Sequence, residues 1–258
     1  MRDAAPGRLA AAIHGLVRAV GAATPAPRAL PYLGLEHASG TGFHLLDALA
    51  ARGIFRKYER VLELGAGLGG ASRWLATRLG CEVVGTAASV EEAAAGSELT
   101  RRVGLTEQVR LVPATAALPF ANGRFTHVWI VETLPRLADG EAALREAFRV
   151  LRPGGSLALQ DLVLPAASPG VSLGGWSPRT LAARTRALAT AGFADVDVRD
   201  RTAEAGERSA RVVAARAQLL ESLRGDPELG AFAAERESLA RALASGALRV
   251  VQVLARRP

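Results

Sequence analysis

Residues 60–70 read R-V-L-E-L-G-A-G-L-G-G. The apolar run at 60–65 has the length of a short buried strand, and glycines follow it at once. Gly65, Gly67 and Gly69 permit dihedrals that side chains resist and allow close backbone approach to a ligand. Gly65, Gly67 and Gly70 also satisfy G-x-G-x-x-G, a weak match by itself. The strand places this turn at its carboxyl end, where open α/β sheets bind ligands. A tight strand–helix turn without a ligand is the plainer alternative. Glu63 lies inside the strand, two residues before the first glycine. It can meet a cationic ligand group or brace the loop through backbone N–H groups.

Outward from this turn, strands and helices alternate. Strands are expected at 60–65, 81–86, 108–113, 125–131, 156–164, 194–201 and 248–257. Helices are expected at 71–80, 89–104, 139–151, 177–192, about 203–224 and 226–244. Gly80 is a C-cap candidate and Ser89 an N-cap whose hydroxyl accepts from residue 91 or 92. Ser177 and Pro178 have the pattern of a cap and first helical position. Such alternation implies an open, mostly parallel α/β sheet with helices on both faces. Helices at 8–20 and 42–53 precede it, separated by a Pro- and Gly-rich loop. The expected division is an N-terminal helical cap segment, 1–54, and a core, 55–258, with a helical cap insertion at about 203–244.

Over 258 residues, 49% are hydrophobic and 22% charged, the balance of a globular chain. The net charge is +7, and Lys57 is the only lysine among 32 basic residues. The arginines are dispersed, with no block of five like charges, which argues against nucleic-acid binding. One cysteine, Cys81, and four histidines give no basis for a disulfide, a metal cluster or a Cys–His nucleophile. No apolar run approaches a membrane span. A cytoplasmic setting is expected.

The segments E-L-G-A-G-L-G-G (63–70), L-P-F (118–120), V-W-I-V-E-T (128–133) and R-V-L-R-P-G-G (149–155) together resemble the class I S-adenosylmethionine-dependent methyltransferases. The likeness is to small-molecule enzymes of the sarcosine, tocopherol and ubiquinone type. H-A-S-G-T-G-F-H-L-L (37–46) and the stretch 246–258 extend it. The resemblance implies a Rossmann-like, doubly wound, seven-stranded sheet and S-adenosylmethionine as cofactor. It also implies roles. Glu63 would brace the loop and reach the methionine amino group. Gly65, Ala66, Gly67 and Gly69 would pass beneath the methionine and ribose. Thr86, Ala87 and Ala88 would face the ribose, and Ala114, Thr115 and Ala116 the adenine. His37 would contact cofactor or substrate. Glu132 and Thr133 would line the space beside the methyl group.

The chain departs from the family pattern at the anionic anchors. Ala87 stands where an acid usually accepts from both ribose hydroxyls. Ala114 stands where an Asp accepts from the adenine amino group. Thr126 replaces a common Asp, and Arg136 a common His. A hydrogen bond to a charged group contributes about 1.5–3 kcal/mol. Losing two uncompensated would weaken micromolar binding toward millimolar or beyond.

Methyl transfer is an in-line displacement, for which the protein supplies positioning, desolvation and sometimes a base. Candidates at strand carboxyl ends are Glu132, Arg136, Gln160 and Asp161. His127 reads as a hydrogen-bonded sheet residue, and Trp129 and Trp176 as packing. Methyl transfer to a small, partly apolar acceptor is the leading function. The alternative is a methyltransferase-like protein without methyl transfer, either a non-catalytic partner subunit or an enzyme of cyclisation or rearrangement. A nicotinamide or flavin dehydrogenase would want an acid near Ala87. A homodimer and a heteromeric partner both stay open.

Overall fold

The computed structural model describes residues 44–53, 55–114, 117–166, 175–207, 221, 225 and 227–258. The helix expected at 8–20, the loop after it, His37, Thr115, Ala116 and most of 208–224 lie outside these. The elements are α1 (His44–Gly53), β1 (Arg60–Leu64), α2 (Gly70–Leu79), β2 (Glu82–Ala87), α3 (Val90–Arg102) and β3 (Val109–Pro113). There follow β4 (Phe125–Val131), a 3-10 turn (Leu134–Arg136), α4 (Gly140–Val150), β5 (Leu151–Leu164), β6 (Arg179–Thr180), α5 (Leu181–Thr190) and β7 (Ala194–Asp200). Last come α6 (Pro227–Ala244) and β8 (Arg249–Arg256).

The strands form one sheet in the order β3-β2-β1-β4-β5-β8-β7, with β6 pairing β5 off this path. β1 to β5 run parallel, and β8 lies antiparallel between β5 and β7. The sheet is thus α/β, doubly wound and mostly parallel, as expected. The order reverses at β1, which has β2 on one side and β4 on the other. That reversal opens a crevice at the strand carboxyl ends, directly above the glycine-rich turn.

Alternation along β1 and β4 sends successive side chains to opposite faces. Val61, Trp129 and Val131 pack with Leu46, Leu49, Trp74, Leu75 and Leu99 on one face. Leu62, Leu64, Val128 and Ile130 pack with Leu144, Val150 and Leu188 on the other. A third cluster joins Leu45 and Trp176 to Leu239 and Leu243 of α6. Trp129 and Trp176 are therefore packing residues. His127 bonds Gly53 O and Thr126 Oγ1, the sheet role expected of it.

The caps formed as the residues dictate. Gly80 ends α2 in the left-handed region, and the Ser89 hydroxyl accepts from Glu92 N–H at 3.1 Å. Two expectations need correction. The helix expected from 177 begins at Leu181, because the Thr180 hydroxyl accepts from Ala183 N–H and residues 179–180 pair with β5 instead. This makes an eighth, two-residue strand. The R-P-G-G segment does more than stop α4. It lies within β5 as a bulge, Phe125 opposing Leu151 and His127 opposing Ser156. A Cβ at Gly155 would come within 2.9 Å of Thr126 O, so only glycine lets the strands close there.

Candidate active site

The turn after β1 carries Gly65, Gly67 and Gly69 at φ +74°, +56° and +81°. Three left-handed residues in five are accessible only because they lack Cβ. Thr86 holds this shape. Its hydroxyl accepts from Gly65 N–H at 2.9 Å and its carbonyl from Ala66 N–H at 2.6 Å. Gly69 N–H donates to Ala66 O at 2.9 Å. Thr133 closes the other side, its Cγ2 lying 2.2 Å from where a Cβ on Gly65 would stand. Thr86, expected to face a ribose, is therefore engaged in shaping the loop.

Arg73 escaped the sequence reasoning. It lies in α2 on a helix buried from Gly70 through Ala76. Its Nη1 donates to Leu68 O at 2.7 Å, to Thr100 Oγ1 at 3.1 Å and to Gly96 O at 3.3 Å. The guanidinium thereby ties the glycine turn to α3. An arginine amid alanines and a tryptophan was the available signal.

Glu63 is 3% exposed and points toward α2, where the Ser72 hydroxyl donates to it. Burial pushes its carboxyl up to about 7, while Ser72 and the charge of Arg73 oppose the rise. An acid beneath the loop suits a cationic ligand better than a phosphate.

At the end of β2, Ala87 is buried and its carbonyl accepts from Ala114 N–H at 3.0 Å. Ala88 N–H donates to Glu92 Oε2 at 2.7 Å, so a carboxylate from α3 turns back toward the loop.

Across the crevice, Glu132 directly follows β4. It is 2% exposed and has φ +52°, a strained value for a residue with a side chain. Its N–H donates to Gln160 O at 2.7 Å, and its Oε1 accepts from Gln160 Nε2 at 2.9 Å. Gln160 Oε1 accepts in turn from Gln252 Nε2 at 3.1 Å, and Gln252 also donates to Leu45 O at 2.8 Å. This buried chain crosses β4, β5, β8 and α1. Gln252 has no counterpart in the sequence reasoning, since its strand reads as plain apolar sheet.

The remaining candidates are placed differently. Asp161 is fully buried on the face of β5 that packs α5, accepting from Arg184 Nε at 2.5 Å and from Leu162 N–H at 3.0 Å. Expected beside the acceptor, it is instead half of an internal ion pair. Arg136 lies 4.6 Å from the Trp176 ring centroid and forms an ion pair with Glu235 of α6. Its contacts join the 3-10 turn after β4 to α6. The structure thus brings Glu63, Gly65, Ala66, Gly67, Gly69, Thr86, Ala87 and Ala88 together around one loop. Ala114 stands alongside at the end of β3.

Residues 62–159 match the family described as Methyltransferase domain. This segment is therefore similar to methyltransferase domains. The domain is 36% identical over 107 residues to the methyltransferase GfsG of Streptomyces halstedii, covering 41% of this chain and 38% of that protein. It is 35% identical over 102 residues to a sarcosine/dimethylglycine N-methyltransferase of Halorhodospira halochloris, covering 39% and 37%. The chain spans less than two fifths of the length of each of these relatives. In three dimensions it is similar to the crystal structure of the [4+2]-cyclase SpnF, with TM-score 0.73 and 21% identity over 99% of this chain and 97% of that one. The two chains thus share a fold over nearly their whole lengths.

Proposed function

We propose that the chain transfers a methyl group from S-adenosylmethionine to a small-molecule acceptor. The observation that carries this is the left-handed trio Gly65, Gly67 and Gly69 at the β1/β4 reversal, set directly above the buried acid Glu63. The donor set fits a nucleoside-bearing cation. The N–H groups of Gly65, Ala66 and Gly69 are spent inside the protein, where a pyrophosphate would need them. Glu63 and Glu92 flank the loop with negative charge instead. A dinucleotide is disfavoured for the same reason.

When bound, S-adenosylmethionine supplies an electrophilic methyl group on a sulfonium. Glu63 would hold the ammonium end through charge, and Gly67 would let the ligand approach the main chain. Glu132, wired to Gln160 and Gln252, would orient the acceptor and take up its proton. Burial at this position removes competing water and strengthens each polar contact.

The apolar cluster of Leu45, Trp176, Leu239 and Leu243 supports a cap made jointly by the N-terminal segment, 1–54, and the insertion at about 203–244. Such a cap suits a partly apolar acceptor. The buried Cys81 and dispersed arginines support a cytoplasmic enzyme without a nucleic-acid partner.

Calorimetry with S-adenosylmethionine and S-adenosylhomocysteine tests the function. Micromolar binding is expected, and no saturation up to millimolar by a folded protein would reject it. A second reading is favoured by Ala87 and Ala114: the same pocket used for cyclisation or rearrangement without methyl transfer. It predicts cofactor binding with no methylated product from any acceptor.

A further inference from the structure

The missing acid at Ala87 leaves a question of charge. At the end of β2 the Thr86 hydroxyl is committed to Gly65, and Ala87 offers no polar atom beyond its backbone. In the turn that Thr86 holds stands Gly67, whose absent Cβ would find one neighbour within 4 Å among the described residues. That neighbour is Glu92 Oε1, at 3.5 Å. Glu92 sits in the first turn of α3, and its other carboxylate oxygen accepts from Ala88 N–H at 2.7 Å. The side chain is thus folded back over the strand end and presents its carboxylate between Ala88 and Gly67. A capping-box-like arrangement explains the bond of Glu92 N–H to Ser89 and the Oε2 turned back to Ala88 N–H. It does not require a carboxylate oxygen turned toward a glycine of the neighbouring loop.

Building on the methyl-transfer function above, we propose that Glu92 is the carboxylate that receives the ribose hydroxyls of the adenosyl group, reaching in from α3 in place of a side chain at Ala87. A vicinal diol offers two O–H donors, and an ionised carboxylate is acceptor-only with about four lone-pair sites. The Ala88 N–H fixes the orientation of one oxygen, and the other lies toward Gly67. Hydrogen bonds to an ionised group are about twice as strong as neutral ones, so one carboxylate can recover affinity lost with another. The small side chain at 87 is then part of the device, since a longer one would contest the space that Glu92 enters.

The test is calorimetric binding of S-adenosylhomocysteine and its 2′-deoxy and 3′-deoxy analogues to the wild type, E92Q, E92A and the double variant A87D/E92Q. E92Q keeps an acceptor for Ala88 N–H and removes the charge, and thermal melting checks that it folds. Expected is a roughly 10-fold or greater loss of S-adenosylhomocysteine affinity in E92Q, about 1.4 kcal/mol. The wild type should prefer the ribose over the deoxy analogues, E92Q should lose that preference, and A87D should restore it. A folded E92Q that binds all three ligands as the wild type does would overturn the role of Glu92 while leaving the cofactor assignment standing. Failure of the wild type itself to bind S-adenosylhomocysteine up to millimolar would overturn both.

Discussion

The Ser72 hydroxyl donates to the Glu63 carboxyl across the junction of β1 and α2, in a position almost closed to solvent. The bond holds the acid under the glycine turn, and burial raises its pKa from 4.5 to about 7. In the unfolded chain the group titrates near 4.5, so between these values the folded protein binds the extra proton. Stability therefore falls as pH rises from about 4.5 through 7.

Glu63→Gln should remove this slope. At pH 8 the variant should be more stable than the wild type, by up to about 3 kcal/mol. Near pH 4 the two should agree. Urea unfolding at both pH values measures it, and an unchanged slope would refute the assignment. The ligand's ammonium group favours the ionised form, so wild-type affinity for S-adenosylhomocysteine should tighten between pH 6 and 8.

Asp161 and Arg184 form a fully internal ion pair between β5 and α5. Removing one partner strands a charge away from water. Arg184→Met should cost about 3–5 kcal/mol, and the double variant with Asp161→Leu should recover a large part of it. Chemical denaturation of the four proteins completes the cycle. A double-variant loss equal to the sum of the two single losses would show that the pair is not coupled.

Thr86 shapes the loop through its hydroxyl. Thr86→Val keeps the volume and leaves Gly65 N–H without its acceptor, at a cost of about 1–3 kcal/mol. S-adenosylhomocysteine affinity should fall as the turn relaxes, whereas Thr86→Ser should retain both. Melting temperature and calorimetry report the two effects separately.

Glu132 should act on the acceptor and not on cofactor affinity. Glu132→Gln keeps the size of the side chain and its partner Gln160. Turnover should drop by about 10²–10⁴-fold, the range for loss of a positioned base. S-adenosylhomocysteine binding should stay within about twofold. A variant that loses binding and turnover together would place Glu132 in the cofactor site instead.

The strand positions and the glycine turn were legible because each has a local cause: apolar runs of strand length, glycines where the chain turns, and Ser89 and Gly80 at helix ends. What stayed hidden depended on partners distant in sequence. Asp161 reads as a strand-end acid like Glu132, and nothing local says that Arg184, 23 residues on, will neutralise it. The same holds for Gln252, which meets Gln160 from 92 residues away. Glu92 reads only as an acid at the positive end of a helix, since only the assembled loop brings Gly67 opposite it. Thr180 displaced Ser177 as cap because the intervening residues could pair with β5.

The position of β8 bears on how the protein is made. It is the wedge between β5 and β7, yet it is synthesised after both. While the ribosome is still upstream of residue 249, the hydrogen-bonding edge of β5 has no mate along Ser156–Val163, and the Gln160–Gln252 link cannot exist. Nascent chains should therefore carry an open sheet margin prone to mispairing, and ligand competence should arrive abruptly, with the closing strand.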